Sequence, residues 1–423
     1  MSPPKHVVII GAGITGALTA HRLLESGLKV TVLEAKEKGA GSSSRSAACI
    51  RQQFSTPATV RAMRYSVQRY LDFAELFACP KETGQVLVQN GYLFLYEKPS
   101  GGSDDARQRA NWETAQRLVP MQRDNGLADV ELLSPDQLKE RFPHIDASEL
   151  IGASYCPSDG FLRPDLIYME GFRRVEELGG TLFQNEAVTA GVHDSRGQLI
   201  AVQTNRDRVV HADLFINATN AWAPRVSQLL GGSTLPISPM KRYLYFIERG
   251  AHIDADQFLN WPMTITPSRA YCRPENKDQL LAGWAHTAHS EPGFDWEDQD
   301  RIEPGYYHRS GLDNYGYQLW LELAEALSVV GEFSGLTATT AGFYATTPDH
   351  NPLLGFDPAQ ERLIHAAGFS GHGAMMGPFT AAVIHDIVMS GEQRSSISVA
   401  GHDIDLSDML IGRDFGSIEG MVI

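Results

Sequence analysis

The chain has 423 residues, 43% of them hydrophobic and 39 of them glycine, and a formal net charge of −15. This length predicts two or three domains, or one domain interrupted by insertions, with enough apolar residues for a large core. The excess of carboxylates argues against nucleic acids and anionic membranes as partners, because their phosphate groups would be repelled.

Apolar runs, the chain start and cysteine usage together predict a cytoplasmic protein without a membrane span. No run approaches the roughly 18 apolar residues that a span needs. The opening sequence MSPPKHVVII lacks the basic and apolar regions of a signal peptide. The four cysteines form no CxxC pair, which fits a reducing compartment and argues against a structural zinc. We therefore expect no bound metal.

The N-terminal residues predict a strand, a tight turn, a helix and a second strand. The apolar β-branched run Val7–Ile10 is typical of a buried strand, and the amphipathic run from Ile14 to Ser26 predicts a helix. Gly27 stands where a helix commonly ends. The run Val30–Leu33 then predicts the second strand.

Three glycines in the first turn have the GxGxxG spacing of a dinucleotide-binding motif. Gly11 permits the turn, Gly13 lets a pyrophosphate approach the backbone, and Gly16 lets the helix pack on the strand. The helix start at Ile14 and Thr15 offers free N–H groups and the positive end of the helix dipole to phosphates. The spacing alone is weak, and an ordinary glycine-rich turn is the alternative, but its place between a strand and a helix predicts dinucleotide binding.

The end of the second strand and the segment after it indicate which dinucleotide is bound. Glu34, followed by Ala35, stands where a ribose hydroxyl needs an acceptor, and its charge would repel the extra phosphate of NADP. Instead of a second βαβ unit, a small polar stretch follows, which would let an extended chain run along a long cofactor such as FAD. A serine-rich surface loop is the alternative interpretation of this stretch. Its candidate contacts to the cofactor are Ser42, Ser43, Arg45, Ser46, Ala47 and Ala48.

The C-terminal part contains a helix start with very little side-chain bulk. The apolar run that ends at Gly391 predicts the helix, and Gly371, His372, Gly373 and Ala374 precede or open it. Such a start either is a plain glycine-rich helix entry or leaves room for a bulky ligand against the helix N-terminus.

Four blocks of the sequence resemble the D-amino-acid oxidase superfamily of FAD-dependent amine and amino-acid oxidoreductases. In order they read VVIIGAGITGALTAHRLLESGLKVTVLEA, GSSSRSAACIRQQF, DLFINATNAWA and AGFYATTPDHNPLLG with HAAGFSGHGAMMGP. The residue sequences of these blocks are most similar to those of the β subunits of dye-linked L-proline dehydrogenase and heterotetrameric sarcosine oxidase, and to those of dimethylglycine dehydrogenase-like proteins.

This resemblance implies the fold class. We expect an α/β FAD-binding domain of the glutathione-reductase-like Rossmann type, interleaved with an α+β substrate domain built on an antiparallel sheet. The FAD-binding domain would comprise residues 1–79, 151–231 and 336–423, and the substrate domain would comprise residues 80–150 and 232–335.

The resemblance also implies cofactor contacts beyond the first sixty residues. Val188 would meet the adenine end through its backbone, and Thr219 and Trp222 would lie near the ribose and pyrophosphate. The bare helix start would face the flavin ring, where reduced flavin carries negative charge. The contacts expected there are Gly342, Gly371, His372, Gly373, Ala374 and Met375.

The implied reaction oxidises the C–N bond of a small secondary amine or of an N-methyl or cyclic amino acid that resembles sarcosine, dimethylglycine or proline. A hydride passes to flavin N5, and water hydrolyses the resulting imine. Arg51 matches the arginine beside the flavin in sarcosine oxidases and is the expected carboxylate clamp; a solvated surface arginine is the alternative. The expected substrate contacts, some of which could equally be core aromatics, are Arg51, Tyr243, Tyr271, Trp284, Tyr344 and Met375, with Arg51, Tyr344 and His372 catalytic.

Several departures from the family pattern leave alternatives open. Gly342 replaces a flavin-linking cysteine, which predicts non-covalent FAD, and Leu281 replaces an oxygen-activating lysine, which favours a dehydrogenase. The electron acceptor is oxygen or a quinone or electron-transfer protein, and the chain could be a subunit of a larger complex. Tyr344 and Met375 replace an arginine and a lysine. A primary amino-acid oxidase or dehydrogenase, acting on glycine or a D-amino acid, and a flavoprotein assembly factor are the alternative functions.

Overall fold

The computed structural model describes residues 3–285, 291–292, 301–309, 311–416 and 418–421. Among these residues, no helix combines the length and the apolar character that crossing a bilayer requires. The α-helices of the described part are α1 Ile14–Glu25, α2 Pro57–Leu71, α3 Phe73–Leu76, α4 Asp105–Asp124, α5 Pro135–Arg141, α6 Pro164–Glu177, α7 Ala223–Leu229, α8 Ala255–Leu259, α9 Tyr315–Ala326 and α10 Gly373–Ser390.

The strands fall into several sheets. In the first half of the chain they are β1 His6–Ile10, β2 Lys29–Leu33, β3 Cys49–Ile50, β4 Leu87–Val88, β5 Tyr92–Glu97, β6 Glu131–Leu133, β7 Leu150–Cys156, β8 Gly160–Leu162, β9 Thr181–Phe183, β10 Val188–His193, β11 Leu199–Thr204 and β12 Val209–His211. They continue as β13 Leu214–Asn217, β14 Ser238–Glu248, β15 Met263–Ile265, β16 Ala270–Pro274, β17 Gln279–Trp284, β18 Glu291–Pro292, β19 Gly335–Thr346, β20 Leu353–Phe356, β21 Leu363–Ala367, β22 Ser396–Val399 and β23 His402–Asp405.

A six-stranded sheet joins the two ends of the chain. Its order is β20-β21-β13-β1-β2-β9, and every neighbouring pair is parallel except β20 and β21. β1 is apolar on both faces, as the central strand of a covered parallel sheet must be. Helices α1, α2, α6 and α10 pack with this sheet in one large apolar core.

The predicted strand–turn–helix–strand unit is present with small shifts at its ends. β1 and β2 each begin one residue earlier than predicted, and α1 ends at Glu25 with Ser26 as its cap. The helices α2 and α3 meet at Asp72, which caps the end of α2 and the start of α3.

The second large sheet is almost entirely antiparallel. Its order is β18-β14-β17-β16-β15-β5-β7-β6, with β19 also paired to β14, and only β15 and β5 run parallel. One face of this sheet packs on α5 and α9 through an apolar core that includes Leu138, Leu319 and Leu323. The predicted combination of an α/β nucleotide-binding unit with an antiparallel substrate-binding sheet is thereby confirmed.

Two strands cross the domain boundaries that the sequence predicted. β7 pairs with β5 and β6, and β19 pairs with β14 along almost its whole length. The predicted boundaries at 151 and 336 would assign most of both strands to the other domain. Both strands pair with the antiparallel sheet on either side of the predicted boundary. The division of the chain into domains by residue range stays a prediction.

Candidate functional site

The turn between β1 and α1 is built so closely that two of its glycines admit no side chain. Gly11 has φ +109°, and a Cβ there would lie 2.7 Å from the carbonyl oxygen of Ala218. A Cβ on Gly16 would lie 2.1 Å from the carbonyl oxygen of Gly11. The start of α1 has no side-chain cap and no acidic residue in its first turn. The Ile14 N–H donates to the Ser43 hydroxyl at 3.2 Å.

Glu34 holds the other side of this turn. Its carboxylate accepts the Ala12 N–H at 2.8 Å and the Lys36 N–H at 2.9 Å. Burial raises the pKa of this carboxyl, and the two N–H donors oppose that shift. The carboxylate therefore lies against the turn and borders the same open space as the α1 N-terminus.

That space is a cavity of about 580 Å³, which runs from the first turn to the start of α10. Most of the predicted cofactor contacts line it, although they come from both ends and the middle of the chain. They are Gly11, Gly13, Ile14, Thr15, Glu34, Ala35, Ser42, Ser43, Arg45, Ser46, Ala47, Val188, Thr219, Trp222, Gly342, Gly371, Gly373 and Ala374.

The start of α10 is the second bare helix N-terminus in the cavity. His372 is its N-cap and makes no side-chain cap hydrogen bond, and the first turn contains no acidic residue. Gly371, Gly373 and Ala374 line the cavity, so the end of the helix that carries positive dipole charge faces it. Gly371 has φ +93°, and a Cβ there would lie 2.5 Å from the ring of Tyr344.

The face of the antiparallel sheet forms the wall opposite α10. Arg242 and Leu244 of β14 line the cavity, and their partners across the sheet are the small residues Gly342 of β19 and Gly283 of β17. Because Gly283 has no side chain, the ring of Tyr271 lies across it.

Tyr271 and Tyr344, both predicted substrate contacts, line this wall together. The two side chains lie next to each other, and Tyr271 partly offsets the rise that burial causes in the pKa of Tyr344. Burial raises the pKa of both phenols, so both remain protonated at neutral pH. The wall therefore offers neutral hydroxyl groups beside the guanidinium of Arg242.

Tyr243 and Trp284, two other predicted substrate contacts, do not line the cavity. Successive side chains of a strand point to opposite faces of the sheet, so Tyr243 faces away from Arg242 and Leu244. It stacks on Tyr306 with ring centroids 4.3 Å apart. Trp284 packs against the same core and donates its indole N–H to the Ser268 carbonyl at 3.0 Å.

Arg51 and His372 lie behind the cavity wall. Arg51 is 1% exposed, its Cζ lies 4.0 Å from the centroid of the Phe54 ring, and its guanidinium donates to the carbonyl oxygens of Gln53 and Met421. The His372 Nε2 lies 3.5 Å from the Arg51 Nη2. Burial and the neighbouring Arg51 hold the pKa of His372 well below its usual value, so this imidazole is neutral.

Three predicted cofactor contacts take part in packing instead of lining the cavity. Met375 and Ala48 belong to the large apolar core, and Gly16 packs on the first turn. Met375 points into the core because it lies on the inner side of the first turn of α10, where Met376 and Phe379 are also buried.

The cavity is also lined by residues that the sequence did not single out. Arg242 and Leu244 flank the predicted Tyr243. Side chains of β14 alternate between the two faces of the sheet, so choosing the opposite face would have identified them. Asn220 and Phe343 stand next to predicted residues, and adjacency was their only signal. The main additions are Asn220, Arg225, Arg242, Leu244, Phe343 and Phe369.

The arrangement suits a long dinucleotide. A carboxylate acceptor and one helix N-terminus lie at one end, and a second helix N-terminus faces an aromatic wall at the other. A Cβ on Gly342 would lie 2.6 Å from the Arg45 carbonyl oxygen. Only a glycine therefore fits where β19 approaches the short helical turn Ser42–Arg45.

Comparison with known proteins agrees with this geometry. The family model described as FAD dependent oxidoreductase matches residues 6–387. FAD-dependent oxidoreductase domain-containing protein 1 of Bos taurus is 28% identical over 97% of this chain and 85% of its own length. Mitochondrial sarcosine dehydrogenase of Mus musculus is 26% identical over 88% of this chain, and the match covers 38% of that protein.

A solved structure shows the same fold. L-proline dehydrogenase from P. horikoshii has a TM-score of 0.77 and is 26% identical, and the match covers 93% of this chain and 95% of that chain. The cavity between the two bare helix starts has the residues that the cofactor of such enzymes needs. The chain therefore belongs to the FAD-dependent oxidoreductase family, and it is an enzyme whose cofactor is FAD.

Proposed function

We propose that this enzyme oxidises the C–N bond of a small secondary amine, namely an N-methyl or cyclic amino acid. The observation that carries the proposal is the end of the cavity, where the bare start of α10 faces Arg242, Tyr271 and Tyr344. Two of the relatives are named for sarcosine and for L-proline, which are both secondary amines. A small amino acid fits a site that presents a cation and hydroxyl groups beside aromatic rings.

Bound FAD would supply the acceptor for a hydride from the carbon atom next to the amine nitrogen, and water would hydrolyse the resulting imine. The chain would hold FAD without a covalent bond, since neither cysteine nor histidine lines the cavity among the described residues. Glu34 would accept a ribose hydroxyl, and the N–H groups at the start of α1 would bind the phosphates. The N–H groups at the start of α10 would stabilise the negative charge that develops nearby.

The amine side of the site depends on the aromatic wall. Tyr344 would orient the substrate through its hydroxyl group, which lies in the cavity wall beside Tyr271. His372 would keep Arg51 in position, because the neutral imidazole can accept a hydrogen bond from the guanidinium. Arg51 itself would bind a substrate carboxylate only if the Met421 carbonyl gave way.

Electrons would leave to a quinone or an electron-transfer protein, and we propose a dehydrogenase that can work as a subunit of a larger complex. Leu281, at the position of the oxygen-activating lysine in monomeric sarcosine oxidases, is 3% exposed within an apolar cluster. An apolar side chain there gives no positive charge to favour oxygen reduction.

The test is an anaerobic titration of the purified FAD-loaded protein with sarcosine, L-proline, dimethylglycine, glycine and D-amino acids, followed by loss of the flavin absorbance. We expect reduction by at least one of sarcosine, L-proline and dimethylglycine, and slow or absent reduction by glycine and D-amino acids. Preferential reduction by glycine or a D-amino acid would support the primary amino-acid alternative. A protein that binds FAD but is reduced by none of the panel would contradict the proposal.

A further inference from the structure

Asn220 belongs to the turn that follows β13, and this turn borders the cavity beside the start of α1. Asn220 and Thr219 both line the cavity. A Cβ on Gly11 would meet the Ala218 carbonyl oxygen and the backbone nitrogen of Thr219, so the turn lies directly against the first turn of the chain. Asn220 has φ +50°, in the left-handed region that asparagine enters more readily than most residues with a side chain.

The side-chain oxygen of Asn220 holds the backbone that leads into α10. Its Oδ1 accepts the Gly368 N–H at 3.2 Å and the Phe369 N–H at 3.5 Å. Because both partners are backbone donors, they determine which way the amide group is turned. Among the described residues no acceptor meets the NH2 group of Asn220, and its nitrogen is not sealed in the protein interior. Two N–H bonds are therefore left for a ligand in the cavity.

The other polar side chains of this turn have no such donors to give. The Nδ2 of Asn217 donates to the Ala223 carbonyl at 2.9 Å and lies 3.3 Å from the Nδ1 of His365. Its Oδ1 accepts the hydroxyl group of Thr219 at 2.6 Å. An amide oxygen only accepts, so the single hydroxyl proton of Thr219 is used within the protein. Thr219 offers a ligand only lone pairs, and Asn220 is the side-chain donor of the turn.

The place of Asn220 indicates which part of the cofactor it meets. One side of the turn touches the glycine turn before α1, where backbone N–H groups suit a pyrophosphate, and the other side holds the entry to α10. A dinucleotide that extends from one helix start to the other has its pyrophosphate between its two ends. Phosphate oxygens accept hydrogen bonds and carry charge, so they match an NH2 group without a partner.

We propose that the NH2 group of Asn220 binds the pyrophosphate of FAD while its oxygen holds the entry to α10. Asn220 is then a cofactor-binding residue that links the phosphate site to the helix start at the other end of the cavity. The link means that FAD binding stabilises the Gly368–Phe369 backbone. This inference concerns the cofactor and does not depend on which amine the enzyme oxidises.

The experiment titrates the apoprotein with FAD and with ADP-ribose, which contains the pyrophosphate but no flavin ring. Asn220→Asp keeps an oxygen for the Gly368 and Phe369 N–H groups and replaces the NH2 group with a charged oxygen. We expect it to raise the Kd of both ligands roughly 10- to 100-fold, because a hydrogen bond to a charged group is lost and like charges meet. Asn220→Gly, which suits the positive φ but has no amide, should raise both Kd values about tenfold.

Asn185→Asp is the matched control. Asn185 also has positive φ, +55°, but it is exposed and does not line the cavity. The charge that it gains is screened by solvent and salt, so the Kd of FAD should change less than about threefold. Urea unfolding of each apoprotein shows whether the fold is retained.

Two binding results would overturn the proposal. If Asn220→Asp bound both ligands as tightly as the parent protein, the NH2 group would not be a donor to the cofactor. If Asn220→Asp weakened FAD but not ADP-ribose, the amide would meet the flavin part instead of the pyrophosphate.

Hydrogen exchange tests the link to α10 separately. FAD should slow exchange of the Gly368 and Phe369 amides in the parent protein, and this protection should be smaller in Asn220→Gly at saturating FAD. Equal protection in the two proteins would refute the link, because the backbone would then be held without the Asn220 oxygen. These measurements need no turnover, so their failure is distinct from a failure of amine oxidation.

Discussion

Gly371→Ala is the substitution that most directly tests how α10 and the aromatic wall meet, and Gly391→Ala is its control at the other end of the same helix. Both glycines have positive φ, +93° and +70°. An added Cβ would lie 2.5 Å from the Tyr344 ring at Gly371, whereas it would meet nothing within 4 Å at Gly391.

The expected magnitudes follow from these two contacts. Left-handed backbone costs a residue with a side chain about 1 to 2 kcal/mol, and both variants carry this cost. In Gly371→Ala the Tyr344 ring must also move. Its open side is the cavity, so the ring rotates there at about 1 kcal/mol, which is less than overpacking in a closed core costs. We therefore expect losses of unfolding free energy of about 1 to 2 kcal/mol for Gly391→Ala and about 2 to 3 kcal/mol for Gly371→Ala.

The larger difference should be in ligand binding. A displaced Tyr344 ring enters the cavity and leaves its place beside Tyr271 in the wall. Urea unfolding gives the stabilities, and titration of the apoprotein with FAD gives the affinities. Gly371→Ala should weaken FAD binding at least tenfold, and Gly391→Ala should leave it unchanged. If both variants bound FAD as the parent protein does, the contact between Gly371 and Tyr344 would not limit the site.

Three other substitutions test the nucleotide end and two buried carboxyl groups. Glu34→Ala should raise the Kd of FAD about 10- to 100-fold in the same titration, because a charged acceptor is lost; the exposed Glu37→Ala is its control. Burial raises the pKa of Asp159 to about 7, so the native state retains a proton that the unfolded state releases near pH 4. The contribution of Asp159 to stability should fall by roughly 3 kcal/mol between pH 4 and pH 7, and urea unfolding of Asp159→Asn should show no such slope. Although burial opposes it, donors from His365, Ser233 and Ala359 lower the pKa of Asp357 to about 2. Asp357 should therefore contribute about 2 kcal/mol above pH 4, and this contribution should vanish as the pH falls towards 2 and be absent in Asp357→Asn.

The nucleotide end of the site could be predicted because its chemistry is local in sequence. Gly11, Gly13 and Glu34 belong to one strand–turn–helix–strand unit, and the steric reason for each glycine is the same wherever that unit occurs. The bare start of α10 was also predictable from local sequence, because glycine and alanine at a helix start indicate that a ligand lies close to the backbone.

The substrate end could not be predicted to the same depth, because it depends on which face of a sheet meets the cofactor. The aromatic run of β14 marks a strand, but both of its faces are apolar. Tyr243 and Tyr245 pack towards α9, while Arg242 and Leu244 line the cavity. A sequence shift of one residue exchanges the two sets, and only the pairing of β14 with β19 and β17 determines which set faces inward.

The position of Arg51 depends on a still longer connection. Its guanidinium meets the carbonyl of Met421, 370 residues along the chain. The segment that carries Met421 is fastened by Glu419, whose carboxylate accepts the N–H and the hydroxyl of Ser55. No periodicity or spacing in the sequence signals such a contact.

The convergence of the two chain ends on one cavity follows from strand order. β1 and β21 run parallel with β13 between them, so their carboxyl ends meet at the same edge of the sheet, and α1 and α10 both begin there. The helices can then cross closely because Gly377 stands at the contact, where a Cβ would lie 2.9 Å from Leu18 and 3.0 Å from Ile14. A larger residue at 377 would separate the two N-termini that together face the cofactor. An acidic chain can thus bind an anionic dinucleotide, since much of the positive potential in the site comes from backbone N–H groups.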